Sequence, residues 1–395
     1  MAKHRNTCGT ALLLAALLLL SGCVDKFQPD VVSTSQRYLV VDGLINLRGV
    51  TTVLLSRTRS LSTPAPLVEA KATVTIRDDA GTSYPLTEQA AGTYTSAALT
   101  LDATRRYQLR LRTAAGREYA SDLVAGKITP PIDRLSWAPE RNGVQLYVDA
   151  HDATNNTRYY RWTYQETWQF KTPYYSEYEL VNGAVVFRTA NIQQCWRSES
   201  STDIVLGSTA RLSQDIVSKY PLLLRPGNSD RFGLKYSLLV QQYAQSAEEY
   251  AYWEKLKKNT ESLGTLFDPL PTQLTGNVHG LTDASELVVG YVGASTMAER
   301  RLFIDHTEFP AGTRFLTGYE NQCQEPDTVR LPNPGGPNTL AIGFTREYTP
   351  LHQAFYPSPP YPPYLANTLM GYTRAMTLCA DCRLRGTNVK PSFWP

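Results

Sequence analysis

The sequence predicts an all-β protein on three observations: its residue bias, a period-two alternation of apolar and polar residues, and regularly spaced turn chemistry. Tyr is abundant at 24 of 395 residues and Met scarce at 4. With frequent Thr and Val, this bias suits pleated, half-buried strands. A chain of this length, against typical domains of about 100 to 200 residues, predicts two domains.

Residues 1–22 read as a lipoprotein signal peptide. Lys3, His4 and Arg5 form a basic start, and Ala11 to Leu20 is continuously apolar. That run is too short to span a bilayer, which needs roughly 20 residues, and matches a signal h-region. Leu20-Ser21-Gly22-Cys23 follows. Small residues there admit a signal peptidase between Gly22 and Cys23, and the Cys23 thiol can accept a lipid, anchoring the chain without spanning the membrane. Without residues 1–22 the body carries 37 basic against 36 acidic side chains. Near-neutrality offers no cationic surface for nucleic acid. No later apolar run nears 18 residues, so no transmembrane helix is expected.

Residues 23–37 are polar and aperiodic and suit a tether. Seven short strands are then expected, at 38–45, 51–57, 72–77, 83–87, 92–97, 105–112 and 118–124. In the sixth, Tyr107, Leu109 and Leu111 share one face while Arg106, Gln108, Arg110 and Arg112 take the other. Gly-containing turns at Asp79-Ala80-Gly81, Ala91-Gly92 and Ala115-Gly116 separate them. This spacing predicts an immunoglobulin-like or transthyretin-like sandwich over 38–128. Thr129-Pro130-Pro131 breaks pairing and marks the boundary with a second, larger and mainly antiparallel β domain, 132–395.

In that second domain, strands are expected at 143–150, 159–170, 176–188, 232–244, 286–293 and 301–306. One helix is expected over 246–263. Ser246-Ala247-Glu248-Glu249 forms a capping box, with Ser246 and Glu249 satisfying each other's backbone N–H groups. Tyr250, Trp253 and Leu256 supply an apolar face, and Gly264 a stop. Near the end, 350–365 contains the run Tyr356-Pro357-Ser358-Pro359-Pro360-Tyr361-Pro362-Pro363-Tyr364, which is short of backbone donors and predicts a polyproline-like surface loop.

The ordered set Tyr38–Ile45, Cys195-Trp196, Tyr236–Tyr243, Tyr250–Glu261, Phe267-Asp268-Pro269, Pro271–Asn277, Cys379–Gly386, Lys390-Pro391 and Phe393-Trp394 resembles the domain-of-unknown-function 4249 family of Bacteroidota lipoproteins. The resemblance implies an outer-membrane lipoprotein, often encoded beside a TonB-dependent receptor, and brings no catalytic residues. In that group an acidic cluster after the lipidated Cys tends to mark surface export. Here only Asp25, with Asp30 further on, lies close by, so the periplasmic and cell-surface faces both stay open.

No reaction is named by the remaining motifs, so no catalytic residue, metal ligand or cofactor is assigned. There is no G-x-S-x-G pentapeptide. Asp268, Glu254 and Glu261 read as structural or solvated carboxylates, and His279 and His306 as ordinary hydrogen-bonded residues. Cys379-Ala380-Asp381-Cys382 has redox spacing without a thioredoxin-like setting. An exported chain instead favours two disulfides among Cys195, Cys323, Cys379 and Cys382. Cys195 and Cys323 are each expected to pair with one member of the terminal pair, since a Cys379–Cys382 bridge closes too small a loop to constrain the unfolded chain. Tyr160, Trp162, Tyr164, Trp168 and Phe170 fall on one face of a strand, which reads as core or as a ligand platform. Tyr356, Tyr361 and Tyr364 are partner-contact candidates, because proline lowers the entropy lost on docking. The expected function is a membrane-anchored, non-catalytic binding or accessory subunit, with a surface hydrolase of glycans or peptides, or a structural envelope protein, as alternatives.

Overall fold

The computed structural model describes residues 37–59, 67–261, 274–333, 336–357 and 367–395. The fold is all-β. The first body is built from β1 (Leu39–Asn46), β2 (Arg48–Arg57), β3 (Leu67–Val68), β4 (Thr73–Asp78), β5 (Ser83–Ala90), β6 (Thr93–Thr100), β7 (Arg106–Arg112), β8 (Glu118–Ser121) and β9 (Val124–Ala125). Period-two patterning does what it should: Tyr107, Leu109 and Leu111 are buried while Arg106, Arg110 and Arg112 face water. One continuous antiparallel path runs β8-β7-β4-β5-β6-β2-β1, and it curls over a single core.

The second body starts with β10 (Ile132–Glu140), β11 (Gly143–His151) and β12 (Tyr159–Lys171). The hairpin β13 (Tyr178–Val181) and β14 (Ala184–Phe187) follows, then β15 (Gln194–Ser200), β16 (Val205–Ser208), β17 (Ile216–Arg225) and β18 (Lys235–Ala244). Two sheets, β10-β11-β17 and one centred on β12 and β18, enclose its core. Tyr160, Trp162, Tyr164, Trp168 and Phe170 are all buried there. The aromatic face is therefore core and not a ligand platform. The expected single strand over 176–188 is instead a hairpin, because Asn182 and Gly183 take φ of 51° and 82°, the left-handed pair that a two-residue turn demands.

Helix α1 (Ala247–Glu261) follows β18. Ser246 Oγ accepts the Glu249 N–H at 3.1 Å. The Glu249 side chain does not return the expected capping bond; it turns inward and accepts from Gln245 Nε2 at 3.2 Å. The buried face of the helix accordingly centres on Glu249 and Tyr252, a different stripe from the expected Tyr250, Trp253 and Leu256.

The chain then returns to the first body. β19 (Val278–Gly280) pairs with β8, while β20 (Val288–Val289) and β21 (Gly293–Ser295) add in parallel to β1. Val278, Val288, Val292 and Ala294 enter the first core. Residues 278–295, expected in the second domain of 132–395, thus pair and pack with the first body and complete its one nearly closed sheet. Directly afterwards β22 (Met297–Asp305) pairs with β18 in the second body. Thr129 lies across this junction: its N–H donates to Thr296 Oγ1 at 2.8 Å, and its hydroxyl accepts from Ala244 N at 3.0 Å.

A further small sheet contains β23 (Asp327–Arg330), β24 (Tyr348–Phe355) and β25 (Leu369–Met376), in the order β23-β25-β24, with a short helix α2 (Thr339–Gly343) beside it. The expected loop over 350–365 thus begins as a strand. Pro350 is tolerated because β24 is an edge strand and the register shifts between Pro350 and Gln353.

Two close approaches give predictions. A Cβ on Gly207 would lie 2.6 Å from the fully buried Trp162 indole, so Gly207→Ala is expected to destabilise by about 1–3 kcal/mol through overpacking. An unchanged denaturation midpoint would contradict this. The Glu249 carboxylate occupies the space beside Gly293, where a Cβ would meet it at 2.4 Å. Burial raises the Glu249 pKa, against smaller opposing effects from Arg161, Gln245 and Trp253. The folded state therefore binds more protons than the unfolded chain between the two pKa values, and this group's contribution to stability falls as pH rises through that interval. Glu249→Gln should remove the slope and raise the thermal midpoint at neutral pH, as melts across a pH series would show.

Candidate functional site

The C-terminal unit around β24 and β25 carries the sequence-predicted contact segment. Its own core is minimal: Leu351, Ala375 and Ala380, with Tyr174 packed against them. Other interactions hold it. Arg374 grips Asp327 through two bonds of 2.8 and 2.9 Å, donates to the Gly343 carbonyl at 2.7 Å and lies 4.3 Å over the Tyr348 ring. The hydrogen bond from Arg374 keeps the Asp327 carboxyl below its ordinary range. Rings of Phe187, Tyr178 and Tyr372 follow one another at 4.7 and 5.1 Å, joining the β13–β14 hairpin to β25. Ser176 Oγ donates to the Pro350 carbonyl at 2.7 Å and Glu177 N to that of Leu351 at 3.0 Å, which covers the first half of the β24 edge.

Two disulfides complete the attachment. Cys195 on β15 is joined to Cys382, and Cys323 to Cys379. The two cysteines of the C-x-x-C segment thus have different partners, and the tail is stapled to the second body. Trp394 closes the end of the chain by packing edge-on against Trp196 and Phe303 at 6.3 and 5.6 Å.

Tyr356 stands at the loop end of the β24–β25 hairpin. Its N–H donates to the Thr368 carbonyl at 3.1 Å, and its own carbonyl accepts from Asn367 N at 3.0 Å. Of the Pro/Tyr run only Tyr356 and Pro357 are among the described residues; Tyr361 and Tyr364 lie outside them. Phe355 on β24 is 49% exposed, Ile342 on α2 67%, and Phe187 on the adjoining β13–β14 hairpin 72%.

A dense cluster of charge lies elsewhere, inside the second body. Glu166 accepts from Arg225 at 3.0 and 2.6 Å, from Arg231 at 2.7 Å and from the Tyr236 hydroxyl at 2.9 Å. Arg231 also reaches Glu199 and lies 4.3 Å over the Trp168 ring. The hydrogen bond to Glu166 raises the Arg225 pKa, and burial raises that of Tyr236. The Glu166 carboxylate accepts from donors on both strands, so this cluster fixes β12 against β17 and β18. Sequence reading passed over Glu166, although a carboxylate at the one non-aromatic even position of an aromatic strand face signals a paired buried charge.

The other sequence candidates are scattered. Gly22, Cys23, Gly264 and Asp268 lie outside the described residues. His279 meets Asp122 at 3.1 Å and His306 the Leu234 carbonyl at 3.2 Å, both exposed. Glu254 pairs with Lys258 at 3.4 Å, and Glu261 accepts from Ile204 N at 2.6 Å. Among the described residues no group of three or more His, Cys, Asp or Glu is arranged to hold a metal ion, and no helix is long and apolar enough to cross a membrane.

The fold and this unit define a class: an all-β protein of two interlocked bodies with a disulfide-stapled C-terminal hairpin. The chain belongs to the family described as Domain of unknown function (DUF4249), which matches residues 24–301. No curated protein matches it. A solved structure titled "Biofilm associated protein - BSP domain" aligns over 74% of this chain and 68% of its own at 7% identity and a TM-score of 0.15, a level from which nothing is inferred.

The bridges enclose 187 and 56 residues of sequence separation. Loss of a native disulfide typically costs about 2–5 kcal/mol, more for the longer loop where chain entropy dominates. The double variant Cys195→Ser/Cys382→Ser should therefore lose more stability than Cys323→Ser/Cys379→Ser. Denaturation of both, with non-reducing peptide mapping of the parent, tests this; a recovered Cys379–Cys382 peptide would contradict the pairing.

Proposed function

We propose that this chain is an outer-membrane lipoprotein, acylated at Cys23, which acts as a non-catalytic binding or accessory subunit of a TonB-dependent transporter. The observation that carries the binding role is the C-terminal hairpin, held at its loop end by backbone bonds at Tyr356 and past its opposite end, after Met376, by two disulfides. A proline-stiffened loop on such a hairpin loses little entropy on docking, and its tyrosines offer large contact area with polar tips. The lipid anchor rests on the Leu20-Ser21-Gly22-Cys23 sequence. The transporter as partner rests on the family resemblance.

The test is affinity purification of the tagged protein from solubilised outer membranes. Wild type should bring down a transporter. Converting Tyr356, Tyr361 and Tyr364 together to Ser should weaken the complex by about 2 kcal/mol or more if one of them is an anchor, with thermal unfolding unchanged. Cys23→Ala should release the protein from the membrane fraction. Unchanged co-purification of the triple variant removes the loop from the contact. Absence of any transporter, with turnover of a glycan or peptide, replaces the reading with a surface hydrolase.

A further inference from the structure

At one end of the first body a cleft of about 700 Å³ opens between Arg37, β2, the β7–β8 turn and the segment leading into β20. Its wall carries charges that alternate in sign. Glu69 accepts from Arg57 at 2.6 Å, Arg57 reaches Glu286 at 3.3 Å, and Glu286 meets Arg117 at 3.1 Å. From the floor, the buried Tyr119 hydroxyl donates to Glu286 at 2.8 Å. The first three charged side chains are only 11–16% exposed, and Arg117 is 55% exposed.

We propose that this cleft is a binding site for a zwitterionic small molecule, one that carries an ammonium group and a carboxylate or phosphate a few bonds apart. The argument is from matching and exclusion. A simple anion drawn to Arg117 is set beside Glu286, and a simple cation drawn to Glu69 is set beside Arg57. Each then meets a like charge in a partly desolvated wall, where Coulomb terms weigh more than in bulk water. A ligand bearing both signs meets an opposite charge at each end. Two sources share this chemistry, a free amino acid or short peptide and a phosphoethanolamine headgroup. The second source rests on the anchored reading above: Arg37 lies 14 residues after Cys23, so about 50 Å of extended chain at most separates the cleft from an acylated Cys23.

Calorimetric titration of the purified full chain tests the proposal, and it requires neither a transporter nor the anchor. The probes are alanyl-alanine and glycerophosphoethanolamine, with succinate and putrescine as one-sign controls. The expected result is saturable binding of at least one zwitterion, with both controls weaker by about tenfold or more, the effect of one well-placed charge pair. Arg117→Gln should weaken the zwitterion by a similar factor without moving thermal unfolding; if that variant is destabilised, Glu69→Gln takes its place with the same expected loss. Preference for the dipeptide assigns a soluble source, and preference for the headgroup a membrane source. No saturable binding of either zwitterion, equal binding of succinate or putrescine, or unchanged affinity in the variant overturns the proposal.

Discussion

The structure depends on one topological constraint: the edges of the first sheet are covered by residues made more than 150 positions later. β8 and β1 would otherwise present rows of unpaired N–H and C=O groups, the feature that makes open sheet edges hazardous. β19 covers one and β20 with β21 the other, and Val278, Val288, Val292 and Ala294 supply apolar side chains to the core beneath. Because β22 starts two residues after β21 and pairs at once with β18, closing the first body also positions the second. The two bodies are thus one cooperative object in topological terms, although each has its own core. Contacts so distant in sequence carry a large loop-closure cost before they repay it.

Two carboxylates are buried in opposite ways, and the contrast explains which is stabilising. Glu166 is surrounded by two guanidiniums and a phenol, which give its carboxylate both opposite charge and hydrogen-bond donors. Removing either arginine would strand a buried charge, the expensive way to break such a cluster. Glu249, at the interface of α1 with β21, has an amide as its hydrogen-bonding neighbour, and burial there favours the neutral acid. The first arrangement locks β12 to β17 and β18. The second lets proton binding adjust how firmly the helix sits on the junction.

Much of this was legible in the sequence, and the failures have identifiable causes. Strands of six or more residues with one wet face, such as β4, β6 and β7, announce themselves by alternation. β20 and β21 span two and three residues, too few for any periodicity, so their return to the first sheet could not be read. The Asn182-Gly183 turn was legible and was passed over, as was the carboxylate in the aromatic row of β12. Pro350 pointed away from a strand because proline excludes central positions; only the sheet order shows that β24 is an edge. Gly207 offers a different lesson, since its lack of a side chain matters only because Trp162 crosses it from another strand.

The C-terminal unit shows how a small sheet can be rigid without a core of its own. Three strands burying little more than Leu351, Ala375 and Ala380 have far too little apolar area to be stable alone. Covalent bridges, the Arg374 fork on Asp327 and the ring row from Phe187 to Tyr372 take over that role. Such fastening differs from core packing in one useful respect. It acts at single residues on the described strands of the β24–β25 hairpin, at Arg374 and Tyr372 on β25 and at the cysteines that follow Met376, and not over an apolar area.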